Sequence, residues 1–183
     1  MASSTEKIIL GLDPGTQVMG YGVIMVKGNK MSCLQYGVIH LKKYSSHALK
    51  LQKIYERVWG IIEEYLPDEV ALEAPFYGQN VQSMLKLGRA QGVAMVAALN
   101  HGLPVTEYAP KKVKQSVTGN GNASKEQLAA MLKTLLNLKE IPEYLDATDA
   151  LGVAITHHFL GGEQTTKSTS WGAFLKANPE RQK

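Results

Sequence analysis

Ile8-Ile9-Leu10-Gly11-Leu12-Asp13-Pro14-Gly15 is a short, nearly continuous apolar run stopped by an acid and a turn dipeptide. A run of this length, apolar on both parities, is the pattern of a strand covered on both faces. The pattern returns at Val70-Ala71-Leu72-Glu73, where Ala74-Pro75 ends it. Two buried strands that each finish on a carboxylate decide the reading. In an open α/β sheet, ligands bind at the carboxyl ends of parallel strands. If these two strands are parallel neighbours, Asp13 and Glu73 share one rim.

Outward from the first strand, Tyr21–Val26 and Met31–Leu41 read as two more strands, joined by turn chemistry at Lys27-Gly28-Asn29-Lys30. Three strands with tight turns predict an antiparallel meander. Leu51, Ile54, Tyr55, Val58, Ile61, Ile62 and Tyr65 then recur at helical spacing, with Pro67 just past the end. A long helix is expected over about 81–100, with Met84, Leu85, Leu87, Val93, Val96 and Ala97 as its apolar surface. Pro104–Tyr108 reads as a fifth strand, and helices are expected over 110–117, 125–136 and 144–160. Ser124, with Gln127 three residues on, suits a capping box. The order β-β-β-α-β-α-β followed by helices predicts an α/β domain over 1–160: a mixed five-stranded sheet with helices on both faces. Residues 161–183 are rich in Gly, Thr, Ser and Lys and read as a flexible tail.

The chain has 183 residues, enough for one domain with its own core. Net charge is +4 and the sequence pI is about 9.0, which suits an anionic partner without requiring one. Cys33 is the single cysteine, so no internal disulfide and no multi-thiolate zinc site is available, as expected for a reducing cytoplasm. Met1–Lys7 lacks a signal-peptide core, and the longest apolar run, Val93–Leu99, is far below the roughly 18 residues that span a bilayer. Secreted, membrane-spanning and disulfide-rich classes are excluded on this reading.

Four carboxylates stand apart from the surface acids. Glu is depleted in strands, so Glu73 at the end of an apolar strand is hard to dismiss. Asp13 could be a turn former before Pro-Gly, Asp146 a helix cap and Asp149 a surface acid. Asp146 and Asp149 are three apart, which puts them on one helix face about 5–6 Å apart. Ala147, Ala150 and Gly152 are small enough for that helix to approach the sheet. A cluster of such acids repels itself unless a cation neutralises it. An all-oxygen donor set suits Mg2+ or Mn2+, and a pair of such ions is used for phosphodiester chemistry. Between Lys86 and Lys139 basic residues exceed acids by six, an excess larger than the whole chain's net charge. Lys111, Lys112, Lys114 and Lys125 bracket a Gly/Asn loop and suit phosphate-backbone contact, whereas Lys133 and Lys139 read as a solvated face. Phe76-Tyr77 could pack a loop base or stack on an unpaired base.

Taken together, several motifs resemble the RuvC family of bacterial Holliday junction resolvases. They are Ile9–Thr16 with Gly20–Val23, Leu72–Phe76 with Leu85–Val93, Glu107–Pro110 with Val113–Val117 and Gly119–Gly121, and Asp146–His157. The resemblance runs in order from about residue 7 to 160. It implies an RNase H-like fold and a homodimer that resolves four-way junctions by paired symmetric nicks with Mg2+, in recombination and repair. It also implies a branch-migration complex of RuvA and RuvB as partner. By matching position, Asp13, Glu73, Asp146 and Asp149 correspond to the metal-binding catalytic acids, and Phe76 to an aromatic that stacks near the crossover. Lys114 and Lys125 correspond to supporting basic residues; Lys112 and Arg89 are further DNA-binding candidates.

Three rivals remain at this point. ATPases with an Asp-x-Gly-Thr loop need two lobes, and this chain has length for one. A non-catalytic nucleic-acid-binding relative would be expected to lack an acid. An RNase H-like nuclease acting on RNA shares the acids, but the segments 73–76 and 114–125 favour the resolvase.

Overall fold

The computed structural model describes residues 6–75 and 80–161. Within them the chain runs β1 (Glu6–Asp13), β2 (Val18–Lys27), β3 (Lys30–His40), α1 (His47–Tyr65), β4 (Glu69–Glu73), α2 (Val81–Leu99), β5 (Val105–Tyr108), α3 (Pro110–Thr118), α4 (Lys125–Leu135) and α5 (Leu145–Phe159). The five strands form one mixed sheet in the order β3-β2-β1-β4-β5. β1–β2 and β2–β3 are antiparallel; β1–β4 and β4–β5 are parallel. The expected meander and βαβ crossovers are therefore present, and Asp13 and Glu73 end adjacent parallel strands, with Leu12 paired to Leu72.

Alternation along β1 splits its side chains between two cores. Leu10 and Leu12 pack with α1 and α2 around Ile54, Val58, Ala94 and Ala98. Ile9 turns to the opposite face and packs with Ile24 of β2, Leu128 and Leu132 of α4, and Leu151 and Ile155 of α5. Helices cover both faces, as the apolar runs require. By the same period of two, Asp13 follows Ile9 and Gly11 onto the α5 side. Glu73 follows Ala71, which packs with Val153 of α5.

α5 is buried all round from Ala147 to His157. It lies directly on the sheet because three strand positions facing it carry no side chain. A Cβ on Gly11 would stand 2.1 Å from the Ala150 carbonyl oxygen, and one on Gly20 would stand 1.9 Å from that of Asp146. A Cβ on Gly22 would stand 2.7 Å from Leu151. Gly152, expected to ease this approach, instead faces Val113 and Leu128 of α3 and α4. Farther along, His157 on α5 bonds to Tyr108 through Nδ1 (2.9 Å) and to Glu69 through Nε2 (2.5 Å), tying the helix to β4 and β5.

The apolar surface expected on α2 is corrected in one respect. The helix buries Ala90, Gln91, Ala94, Ala97 and Ala98, while Leu85 and Val96 point outward with Val81 and Leu99. Small side chains bring α2 close to α1 and leave the larger ones on the far side. The capping box at Ser124 and Gln127 forms as expected. Residues 162–183, read as a tail, lie outside the described residues, as does Phe76. Among the described residues no helix is long and apolar enough to cross a membrane.

Adding one methyl group at Gly11 tests the contact with α5. Gly11→Ala forces a backbone shift, with a cost of about 1–3 kcal/mol or more and a lower Tm. Gly60→Ala, in α1 with open space around it, should instead raise stability by about 0.5–1 kcal/mol. Thermal melts of the two variants, run in parallel, should move in opposite directions.

Candidate active site

Asp13, Glu73, Asp146 and Asp149 line one cavity of about 570 Å³ with Lys111, Lys114 and Lys125. Each acid arrives by a separate local rule. Asp13 is the last residue of β1, where Pro14 ends the strand. Glu73 is the last of β4, and the Ala74 amide then bonds to the Tyr108 carbonyl (2.8 Å). Asp146 lies in the first turn of α5, where a carboxylate also suits the positive end of the helix dipole. Asp149 follows three residues later, on the face turned to α4. Gly20 pairs with Asp13 across β1–β2 and also lies beneath the Asp146 carbonyl, so the glycine contact sets the start of α5 over the end of β1.

These carboxylates are crowded and largely out of water. Burial, then the charges of Glu73, Asp149 and Asp146, push the Asp13 carboxyl well above the usual carboxylate range. Burial first and Asp149 second push Glu73 up to about 7, against the pull of Lys125 and Lys114. Asp149 is 6% exposed, so it is not a surface acid. Burial raises its pKa, and Lys125 pulls the other way through a hydrogen bond and its charge. Lys125 Nζ donates to Asp149 Oδ2 across the α4–α5 contact. Burial would depress Lys125, but that bond and the charges of Asp149, Asp13 and Asp146 hold it above its ordinary value.

Of the three lysines only Lys125 is paired to one of the four acids, and the upward displacement of Asp13 and Glu73 marks crowding that a cation would relieve. The acids' oxygens are hard ligands with no Cys or His among them, so the donor chemistry fits a divalent cation of the Mg2+ kind. Among the described residues no three His, Cys, Asp or Glu side chains already stand as a finished metal cage. The acids line the walls of the cavity, and Lys125 is drawn onto one of them.

The other predicted residues divide. Lys114 and Lys125 line the cavity. Lys112 is exposed and outside it, whereas its neighbour Lys111 lines it and packs its stem over Gly121. Arg89 is on α2, across the sheet from the cavity. Phe76 lies outside the described residues. Asn122 is a lining residue that the motifs did not single out.

Comparison with known proteins agrees with this architecture. A family model described as crossover junction endodeoxyribonuclease RuvC matches residues 9–157. The crossover junction endodeoxyribonuclease RuvC of Cytophaga hutchinsonii is 61% identical over 178 residues, covering 97% of this chain and 89% of the relative. That of Bacteroides fragilis is 54% identical over 182 residues, covering 97% of each. The solved structure of Thermus thermophilus RuvC in complex with a Holliday junction substrate matches with a TM-score of 0.80 and 35% identity, over 85% of this chain and 94% of that one. The fold is RNase H-like, as the motifs implied. With the match covering both acid-bearing strands, the lysine-bearing helices and α5, the chain belongs to the RuvC family of crossover junction endodeoxyribonucleases.

Proposed function

We propose that this chain resolves four-way DNA junctions by paired phosphodiester hydrolysis, in recombination and repair. One observation carries the chemistry: four carboxylates from β1, β4 and α5 share a cavity with three lysines. Family membership implies a divalent-metal-dependent nuclease. The finer reading is Mg2+, with Mn2+ able to substitute and two ions per site, held by Asp13, Glu73, Asp146 and Asp149. A cation there would generate the attacking hydroxide and offset charge on the phosphate. Lys111 and Lys114, at the cavity wall, hold the DNA backbone. Lys125 favours the ionised form of Asp149 against its burial and would supply positive charge where the phosphate becomes more negative in the transition state. Phe76 is assigned base stacking at the crossover.

Paired nicks call for two copies. The outward stripe of Val81, Leu85, Val96 and Leu99 on α2, each 49–65% exposed, supports a homodimer formed through that helix. The single cysteine supports a cytoplasmic setting. The family resemblance supports the RuvA and RuvB complex as partner.

Asp13→Asn and Glu73→Gln should bind a four-way junction and cut it about 100-fold more slowly or worse, while the metal-free Tm rises as buried repulsion is relieved. Near wild-type nicking by either variant would remove that acid from the site.

Glu73 rises on folding from an ordinary 4.5 to about 7. Through that window the folded chain holds more protons than the unfolded one, so stability falls as pH rises. In EDTA the Tm should drop between about pH 5 and 8, and added Mg2+ should restore more of it at pH 8 than at pH 5. A Tm flat with pH and indifferent to the metal would contradict this.

Leu85→Asp should convert a dimer to monomer in sedimentation and abolish paired nicking. A wild-type monomer, or a dimeric variant, would overturn the α2 interface.

A further inference from the structure

The described residues carry a second cationic cluster, on the face of the sheet opposite the lysines of the cavity. His47 begins α1 and Lys50 lies one turn on; Lys86 and Arg89 project from α2. α1 and α2 pack against each other, and the charges of Arg89, Lys86 and Lys50 reach His47, where after burial they depress its pKa. Among the described residues, none of the three lysine or arginine groups pairs with a carboxylate, whereas Lys7, Lys27, Lys53 and Lys125 all do.

This cluster is joined to the acids. Lys50 Nζ donates to the Thr16 carbonyl (3.0 Å) and to Gln17 Oε1 (3.4 Å), in the loop that follows Asp13. Leu87, next to Lys86, lines a narrow cleft with Asp13, Pro14, Glu73 and Pro75. The carboxyl ends of β1 and β4 thus open between two basic surfaces: α3 and α4 on one face of the sheet, α1 and α2 on the other.

We infer that Lys50, Lys86 and Arg89 form a second phosphate-backbone track, which holds a different arm of the junction from the one held by Lys111 and Lys114. This rests on the reading that the acids act on a four-way DNA junction. Arms diverge at a crossover, so two tracks on opposite faces can be filled together by a junction, while a straight duplex fills one. Unneutralised cations beside the reacting acids suit a polyanion, and each phosphate they neutralise releases condensed counterions.

The test is equilibrium binding in EDTA, where nothing is cut, to a four-way junction and to a duplex of the same sequence. Lys86→Glu/Arg89→Glu is compared with Lys133→Glu/Lys139→Glu, an equal charge change on exposed α4 and loop positions. The first pair should weaken junction binding at least about tenfold more than the second, and should lower the junction salt slope by about 0.9 for every phosphate no longer neutralised. Duplex affinity should change equally in the two. Equal weakening of junction binding by both pairs would overturn the track, as would a loss on duplex as large as on the junction. So would a change of oligomeric mass in the first pair, which would make these residues assembly contacts. Wild-type protein without any preference for the junction would instead sink the resolvase reading itself.

Discussion

Everything at the acid site depends on α5 touching the backbone of β1 and β2. An ordinary helix–sheet contact is spaced by side chains. Here Gly11, Gly20 and Gly22 remove them, and the Ala150 and Asp146 carbonyls come so close that no Cβ fits beneath. That approach puts the first turns of α5 over the ends of β1 and β4, and so sets two acids from one helix beside one acid from each strand. Glycine weakens a strand interior, and the cost is offset by the buried length of α5.

The electrostatics follow from that geometry. Carboxylates drawn together out of water resist ionising, which is why Asp13 and Glu73 are displaced upward. Lys125 answers part of the charge by bridging to Asp149 from α4. The rest is a standing demand for cations, and a polyanionic substrate can only be approached once that demand is met. On the proposed function, the lysines around the cavity would serve the substrate, and the carboxylates the ion that acts on it.

Much of this was legible in the sequence. Unbroken apolar runs ending in Asp13 and Glu73 pointed to buried parallel strands with acids at one rim, and the spacing of Asp146 and Asp149 to a shared helix face. The strand glycines were a readable signal that the small residues of α5 overshadowed: glycine inside a buried strand marks close backbone approach. α2 is apolar on two sides, so periodicity could not tell its alanine-lined core face from the outward stripe of Leu85 and Val96. Lys111 and Lys112 differ by a turn of about 100° on α3, which composition alone cannot resolve. The bonds from His157 to Tyr108 and Glu69 join residues far apart in the chain and have no local signature.

The most direct test of the account is where a divalent ion binds. Crystals of the protein soaked in Mn2+ should show anomalous scattering inside the cavity bounded by Asp13, Glu73, Asp146 and Asp149, with the Lys125 ammonium displaced from Asp149. Mn2+ found only elsewhere on the molecule, with the Lys125–Asp149 bridge intact, would contradict the claim that α5 is seated on the sheet to assemble a cation site.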